Sequence, residues 1–361
     1  MRMEIFRLAA SLIQCAPETG ATRAQQRALG IVRRYFPART FTHRTFQYRG
    51  VPGALITPRG LGNPSLLLCG HLDVIPATVA QYHPVVRGDR LYGRGAFDML
   101  GPLAAMAVAM RTTVERNRHH SVGLLCTLDE ERGGRDGVGA WVGAHATRLP
   151  RVVIVPDAGN NFALVIEEKG VIGVEVHVTG CAAHAARPWE GESAIAQAMD
   201  GIRRLERTFP TPQRATMWRT TAVVTKFRAG VVGNQVPAEA QLSINVRRIL
   251  RDSPSLVLRK VRAAFPGART TVTMTGEAYA VSPHDPNIQA FRHTLSRVVG
   301  RSVPLVRYPA SCDARFFAAH GVPVILTRPS GDGAHGPKEW TSLRGLEQFA
   351  VAVATFIERR T

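Results

Sequence analysis

Short apolar runs of strand length end, in this chain, at residues that can bind metal ions. The runs lie at residues 66–68, 122–128, 152–155 and 324–326, and after them come His71, Glu131, Asp157 and, beyond a glycine-rich loop, His335. Ligands of an open α/β sheet bind beyond the carboxyl ends of its strands. The alternation of these runs with helical patterns therefore predicts a βαβ-type sheet with a metal site at that edge. The set of histidines and carboxylates favours a site for two metals.

Asp98 follows a different pattern, because it precedes a long apolar helix predicted from Leu103 to about Val114. Pro102 suits the first turn of that helix. The Asp98 carboxylate could cap the helix, or it could bridge two cations with its two oxygens. The stretch alone leaves both interpretations open.

Glu130 and Glu131 are adjacent carboxylates after a buried run, and they repel each other unless a cation lies nearby. If Glu131 binds metal, Glu130 is free to act as a general base toward a water molecule whose pKa the metal lowers to about 7. The alternative is an acidic surface turn, since Arg132-Gly133-Gly134 follows.

The other candidate ligands also have simpler readings. In His71-Leu72-Asp73, Asp73 is a candidate to orient a metal-bound His71, whereas a loop histidine is the alternative. Asp157 could cap a turn or be a second carboxylate ligand. His335 lies in a loop at 331–337 that contains three glycines, whose backbone freedom would allow a close approach to a cofactor.

Composition limits the class of protein. A chain of 361 residues is long enough for two domains, and none of its apolar runs approaches the roughly 20 residues of a membrane span. Glu4 and Arg7 interrupt the first apolar stretch, which is read as a helix rather than a signal peptide, so a cytoplasmic protein without a membrane partner is expected. Five cysteines without a CxxC pair argue against a disulfide framework.

The net charge of +19 comes almost entirely from arginine. A basic surface can bind nucleic acid or an acidic substrate. The arginines are scattered, however, and form no long run or known reader motif. We therefore expect an arginine-rich solvated surface and no specific nucleic-acid partner.

A change of pattern near Gly170 indicates an inserted domain. Val174, Val176 and Val178 alternate with polar residues, as in a half-buried strand. The segment continues in the order β-α-β-β-α-β, which is enough for a small α+β domain. We predict a discontinuous catalytic domain at 1–169 and 284–361, with a smaller domain at 170–283.

The ordered motifs resemble those of the di-zinc exopeptidase and aminoacylase superfamily, which includes acetylornithine deacetylase, succinyl-diaminopimelate desuccinylase, carboxypeptidase G and carnosinase-type dipeptidases. The matching motifs are Gly70-His71-Leu72-Asp73, residues 92–98, Asp129-Glu130-Glu131 and Asp157-Ala158-Gly159, and the likeness extends to the closing segment at 333–340. The resemblance implies an α/β fold: a mixed-sheet zinc-hydrolase domain with helices on both faces and an inserted α+β lid or dimerisation domain.

The resemblance also implies roles for the site residues. Two Zn²⁺ ions per subunit, replaceable by Co²⁺ or Mn²⁺, would be bound by His71 with Asp157 and by Glu131 with His335, and Asp98 would bridge them. Glu130 would be the general base and Asp73 the residue that orients His71. The Asp98–Met99 peptide would be cis.

In the inserted domain, Gly180-Cys181-Ala182-Ala183-His184 resembles the family's lid motif, whose histidine polarises the scissile carbonyl. Asn234 and Arg247 resemble the family's substrate-binding asparagine and arginine, and a guanidinium can bind a carboxylate bidentately. A loop histidine and a surface arginine are the alternatives for His184 and Arg247. The resemblance implies a homodimer formed through this domain.

Two positions depart from the family's pattern: Leu100 replaces a common lysine, and Asp157 stands where many members have glutamate. An aspartate there is more typical of aminopeptidases and dipeptidases than of deacylases and carboxypeptidases. The expected activity is therefore hydrolysis of short peptides, such as di- or tripeptides. The alternative is an N-acyl amino acid deacylase of the acetylornithine or succinyl-diaminopimelate type.

Overall fold

The computed structural model describes residues 1–214 and 217–360. The chain divides into two compact units: unit 1 comprises Met1–Ile166, Val281–Tyr308 and Cys312–Thr361, and unit 2 comprises Glu167–Ala280 and Pro309–Ser311. The roles predicted for 1–169 with 284–361 as a catalytic domain, and for 170–283 as a lid or dimerisation domain, remain predictions.

The helices are α1 (Arg2–Gln14), α2 (Thr22–Tyr35), α3 (Leu100–Arg116), α4 (Ala140–Ala144), α5 (Ala194–Thr208), α6 (Pro254–Ala264), α7 (Pro286–Val299), α8 (Ala314–Ala318) and α9 (Leu343–Glu358). The strands are β1 (Phe41–Tyr48), β2 (Val51–Pro58), β3 (Leu66–His71), β4 (Val85–Arg87), β5 (Arg90–Tyr92), β6 (Val122–Thr127), β7 (Val152–Val155), β8 (Leu164–Glu168), β9 (Gly170–Thr179), β10 (Ala183–His184), β11 (Thr221–Ala229), β12 (Gln235–Val236), β13 (Glu239–Arg248), β14 (Arg269–Gly276), β15 (Tyr279–Ala280), β16 (Leu305–Tyr308), β17 (Val324–Leu326), β18 (Gly331–Asp332) and β19 (Trp340–Ser342).

The main sheet of unit 1 is mixed, as predicted. Its strands follow the order β1-β2-β6-β3-β7-β17-β8, and β16 pairs with β8. The central strands β6, β3, β7 and β17 are parallel, whereas β1, β2 and β8 pair antiparallel with their neighbours. The carboxyl ends of the four central strands therefore lie at one edge, where the candidate ligands follow them in sequence.

Both faces of the central sheet are buried. All six residues of β3 are buried, which is expected of a parallel strand covered by helices on two sides. Leu66 and Leu68 belong to the core formed with α1, α3 and α9. Leu67 and Cys69 point to the opposite face and are also fully buried.

Helix α3 lies within this core and is buried almost all round. Its residues from Leu100 to Met110 are all buried, which explains why its apolar pattern has no polar face. The helix begins three residues earlier than predicted, so Leu100 itself is part of it. The segment directly before it carries Asp98.

Unit 2 contains a four-stranded antiparallel sheet in the order β11-β13-β9-β14. Its longer elements follow the predicted β-α-β-β-α-β order along the chain. Val174, Val176 and Val178 of β9 are buried against the core that α5 and α6 share with this sheet. The alternation in the sequence therefore identified the covered face correctly.

Among the described residues, no helix combines the length and the apolar character that crossing a bilayer requires.

Candidate metal centre

His71 ends β3 and presents one ring nitrogen to the site. Its Nδ1 lies 2.8 Å from the main-chain oxygen of Asp73. A carbonyl oxygen can only accept, so Nδ1 carries a proton and Nε2 is the nitrogen left to bind a metal. The ring is almost fully buried, at 1% exposure, which leaves Nε2 without access to water.

Three carboxylates surround this nitrogen. Nε2 lies 3.5 Å from Asp98 Oδ1, 3.7 Å from Asp157 Oδ1 and 4.0 Å from Glu130 Oε2. It has no hydrogen-bond partner among the described residues. Two ligands about 2.1 Å from a tetrahedral zinc ion are separated by about 3.4 Å. The distances from Nε2 to the Asp98 and Asp157 oxygens therefore suit a shared cation. Donor atoms of His71, Glu130 and Asp157 also all lie within 4.8 Å of one another.

A second group of ligands lies on the other side of Asp98. His335 Nε2 lies 3.1 Å from the Glu131 carboxylate and 3.6 Å from Asp98 Oδ2. The two oxygens of Asp98 thus face different histidines. The His335 side chain is 52% exposed, whereas that of His71 is 1% exposed, so the second position lies nearer to solvent. The Asp98–Met99 peptide is cis, as predicted.

Crowding of negative charge perturbs the pKa values of the group. Burial, together with the charge of Asp98, raises the pKa of Asp157 to about 6. Burial and the charge of Asp157 raise the pKa of Glu130 well above its ordinary value. Burial alone would lower the pKa of His71, but the neighbouring carboxylates of Asp157, Asp73 and Asp98 raise it further than burial lowers it. Buried carboxylates this close together cannot all be ionised unless a cation compensates their charge.

Asp98 shows the opposite shift. Burial alone would raise its pKa, but the adjacent His71 ring and the charge of Arg328 lower it below its ordinary value. Asp98 is therefore a carboxylate that stays charged between the two histidines.

The Asp73 carboxylate supports the segment that carries the two glutamates. It accepts hydrogen bonds from the main-chain N–H groups of Glu130 and Glu131, each at 3.2 Å. Its Oδ1 is 3.5 Å from His71 Nδ1, farther than the main-chain oxygen that accepts the imidazole proton. In the structure, the main chain of Asp73 orients His71 and the side chain of Asp73 positions Glu130.

A buried ion pair connects the Asp98 turn to the His335 loop. Glu339 Oε1 accepts from Phe97 N and Asp98 N at 3.0 and 2.9 Å. Its Oε2 accepts from Arg94 Nη1 at 2.7 Å, and Arg94 Nη2 donates to His335 O at 3.3 Å. This pair was not predicted from the sequence, although Arg94 lies within the motif at 92–98 and Glu339 within the closing segment at 333–340.

Two further charged residues near the site had no signal in the sequence. Arg328 is 2% exposed, and its Nη1 lies 3.4 Å from Asp98 Oδ2. Asp313 is 2% exposed, and neither carboxylate oxygen has a hydrogen-bond partner among the described residues. Burial raises the pKa of Asp313 to about 7. Arg315, two residues later, donates to Gly133 O at 2.6 Å and so holds the turn after Glu131.

The remaining candidates lie in unit 2. His184 is exposed and pairs with Gln235 in the short β10–β12 ladder. Asn234 precedes that ladder, and its main-chain oxygen accepts from Ala185 N at 2.9 Å. The structure therefore brings His184 and Asn234 together within unit 2.

Arg247 lies on β13, and strand alternation separates it from Arg248. Arg248 is buried at 3% exposure and forms an ion pair with Glu277. Arg247 is half-buried on the opposite face, where its Nε donates to Asn245 Oδ1 at 3.1 Å. Of the two neighbouring arginines, Arg247 is thus the one on the face not covered by helices.

One protein-family model matches most of this chain. The model of peptidase family M20/M25/M40 matches residues 67–359, which include all five candidate ligands. The chain belongs to this family. As an M20/M25/M40 member it is a hydrolase that acts on amide bonds, in a family of metal-dependent and usually zinc-dependent enzymes.

Curated relatives of this M20/M25/M40 member carry two kinds of name. A probable carboxypeptidase from Aspergillus terreus is 30% identical over 315 residues, which are 82% of this chain and 70% of that protein. A succinyl-diaminopimelate desuccinylase from Acidiphilium cryptum is 28% identical over 325 residues, 84% of this chain and 85% of that protein.

The fold has close parallels among solved structures. An M20 family metallo-carboxypeptidase from Sulfolobus solfataricus superposes with a TM-score of 0.83 at 16% identity, over 98% of each chain. At this identity the likeness concerns the fold alone.

Proposed function

We propose that the protein hydrolyses the amide bond of short peptides, such as di- and tripeptides, with two Zn²⁺ ions per subunit. The observation that carries this proposal is the position of Asp98, whose Oδ1 and Oδ2 lie 3.5 and 3.6 Å from the Nε2 atoms of His71 and His335. A carboxylate between two imidazoles, each with a further carboxylate beside it, is a donor set suited to two divalent cations.

Each cation would have its own histidine and carboxylate. His71 and Asp157 would bind one, Glu131 and His335 the other, and Asp98 would contact both. The imidazole and carboxylate donors suit zinc, and Co²⁺ or Mn²⁺ would serve as substitutes. The bound ions would act as Lewis acids that polarise the scissile carbonyl and lower the pKa of water.

Glu130 is the proposed general base. Its Oε2 lies farther from His71 Nε2 than the oxygens of Asp98 and Asp157 do, at 4.0 Å. Glu130 would take a proton from the attacking water as the oxygen forms its bond to the carbonyl carbon. It would then give that proton to the amine nitrogen as the C–N bond breaks. The Asp73 carboxylate, through the Glu130 N–H, would keep the base in place.

Unit 2 would supply groups that bind the substrate. His184 would polarise the scissile carbonyl, and the contact between its strand and the Asn234 main chain supports a joint role for the two residues. The Arg247 guanidinium would bind the terminal carboxylate of the substrate. Arg247 lies on the uncovered face of its strand, which supports this assignment.

A second candidate function is hydrolysis of N-acyl amino acids. The similarity to the desuccinylase over 84% of this chain favours it, whereas the aspartate at position 157 favours peptides. A panel of free di- and tripeptides against N-acetyl and N-succinyl amino acids, with zinc, cobalt or manganese added, separates the two. Faster turnover of the acylated amino acids would replace the peptide assignment by the deacylase one.

The Glu130→Gln variant tests the mechanism. The amide has the shape of the carboxylate but cannot take up the proton, so we expect kcat to fall by about 10²–10⁴-fold while zinc content is retained. Metal analysis and steady-state kinetics measure both quantities. Glu206→Gln, at an exposed position of α5, is the matched control. Turnover of Glu130→Gln equal to that of this control would rule out Glu130 as the base.

A further inference from the structure

Two cations that share one carboxylate need not bind equally well. We propose that Arg328 makes the two positions unequal, by weakening cation binding between Glu131 and His335 more than between His71 and Asp157. This inference rests on the proposed two-cation arrangement.

The geometry places the guanidinium on one side of Asp98. Arg328 Nη1 lies 3.4 Å from Asp98 Oδ2, and His335 Nε2 lies 3.6 Å from that same oxygen. The other oxygen, Oδ1, faces His71 Nε2 at 3.5 Å. The positive charge of Arg328 therefore adjoins the oxygen that the second cation would use.

Arg328 cannot easily turn this charge toward water. Its guanidinium lies 4.0 Å above the Phe97 ring, Nε donates to Gly159 O at 3.4 Å, and Nη2 donates to Tyr308 Oη at 3.3 Å. Nη1 is buried and has no aligned hydrogen-bond acceptor among the described residues. An arginine keeps its proton in proteins, so a fixed unit charge lies beside Asp98.

Two effects of this charge act in the same direction. It repels a cation bound nearby, and the repulsion falls with distance, so the nearer position is affected more. It also neutralises part of the charge on Asp98 Oδ2, which makes that oxygen a weaker ligand. The charge of Arg328 also acts on Asp157, but Arg328 forms its ion pair with Asp98. The position of Glu131 and His335 is thus the weaker one.

The test is a titration of the metal-stripped protein with Zn²⁺, by equilibrium dialysis and metal analysis at constant pH. For the unaltered protein we expect the first equivalent to bind at least about tenfold more tightly than the second. Arg328→Gln removes the charge and keeps polar atoms toward Gly159 and Tyr308. It is expected to tighten the second equivalent by about tenfold and the first by less than about threefold.

Arg328→Lys is the matched control, because it keeps the charge and loses the planar fork. Its two binding constants are expected to stay close to those of the unaltered protein. If Arg328→Gln unfolds at a lower temperature than the unaltered protein, Arg328→Met provides a second neutral side chain of similar length. If Arg328→Met binds its first zinc equivalent as tightly as the unaltered protein does, the site is formed in that variant.

Three results would overturn the inference: no change in the second constant of the neutral variant, weaker binding of its second equivalent, or an equal change at both positions. A single equivalent in both the unaltered protein and the neutral variant would overturn it too, while leaving a one-cation hydrolase in place. Failure of the proposed function has a different signature, namely no zinc binding or full turnover in Glu130→Gln.

Discussion

At the scale of single residues, the main feature of the site is its concentration of negative charge. Asp98, Glu130 and Asp157 surround the buried nitrogen of His71 within 4.0 Å. Without a cation, the protein lowers this charge by binding protons, which is the direction of the shifts in the pKa values of Glu130 and Asp157. Proton uptake and metal binding therefore compete for the same atoms.

The Asp157 carboxyl makes the stability of the metal-free protein depend on pH. Its pKa is raised from 3.8 to about 6 in the folded protein. Its contribution to stability is therefore complete below about pH 4 and is lost as the pH rises through about 6, by up to about 3 kcal/mol. Denaturant unfolding of chelator-treated protein between pH 4 and 7 measures this loss.

The Asp157→Asn variant is the control for that experiment, since it cannot titrate. Its unfolding free energy should decrease less over the same pH interval. With saturating zinc the trend of the unaltered protein should reverse, because deprotonated ligands bind the metal. Equal pH slopes for the unaltered protein and Asp157→Asn would contradict the assignment.

Asp73 is expected to matter for both stability and turnover. In Asp73→Asn one of the two N–H groups of Glu130 and Glu131 would face an amide NH₂ instead of an acceptor. We expect a loss of about 1–3 kcal/mol in unfolding free energy and a lower kcat, measured by urea denaturation and steady-state kinetics. Asp200→Asn, at an exposed site, is the control. If Asp73→Asn matches this control in unfolding free energy and kcat, the Asp73 carboxylate does not position Glu130 and Glu131.

At the scale of elements, the site depends on turns that follow the strands. The parallel strands β6, β3 and β7 bring Glu130, His71 and Asp157 to one edge of the sheet, because each residue lies at or just beyond a carboxyl end. Asp98 and His335 come from loops instead. These two loops are joined by the Arg94–Glu339 pair, whose side chains are 4% and 0% exposed.

Breaking this pair should loosen the junction of the two loops. Glu339→Gln keeps an oxygen for Phe97 N and Asp98 N but leaves the buried Arg94 charge unpaired. Loss of one partner of a buried pair costs about 3–5 kcal/mol. Thermal or denaturant unfolding should show this loss, together with weaker zinc binding.

The double variant Arg94→Met/Glu339→Gln removes the unpaired charge and is the control. It should recover part of the stability, as expected for two side chains in direct contact. If the losses in unfolding free energy of the two single variants simply add in the double variant, Arg94 and Glu339 are not coupled. Another interaction would then join the two loops.

At the scale of the whole molecule, all five candidate ligands belong to unit 1, while His184, Asn234 and Arg247 belong to unit 2. Unit 2 lies in sequence between Asp157 and His335, so the chain leaves unit 1 and returns before its last ligand. The proposed homodimer through unit 2 is a prediction that light scattering of the purified protein tests.

Removal of metal is expected to affect unit 1 selectively. Zinc at about 100 times its Kd should stabilise the folded state by about 2.7 kcal/mol. In hydrogen exchange, chelation should speed exchange of amides around β3, β6 and the Asp98 turn and leave β9 and β13 unchanged. Equal acceleration in both sheets would mean that the cation does not bind within unit 1 alone.

The candidate donor residues at the strand ends, the βαβ-type sheet and the inserted β-α-β-β-α-β segment could be predicted from the sequence. Each depends on local order: apolar runs of strand length, alternation along β9, and donor residues directly after a strand. The role of Asp98 was harder to predict, because the same sequence is compatible with a helix cap and with a bridging ligand. The two oxygens of Asp98 could be assigned to different histidines only from the structure.

The sequence by itself determined which donor residues this protein has and that they follow strands of one sheet. Only the tertiary structure decided which charged residues lie around these donors. Arg328 and Asp313 lie outside the ligands' motifs in sequence, and Arg94 and Glu339 lie 245 positions apart. Electrostatic interaction depends on distance and burial rather than on order along the chain, so their place beside the site follows from how the loops pack.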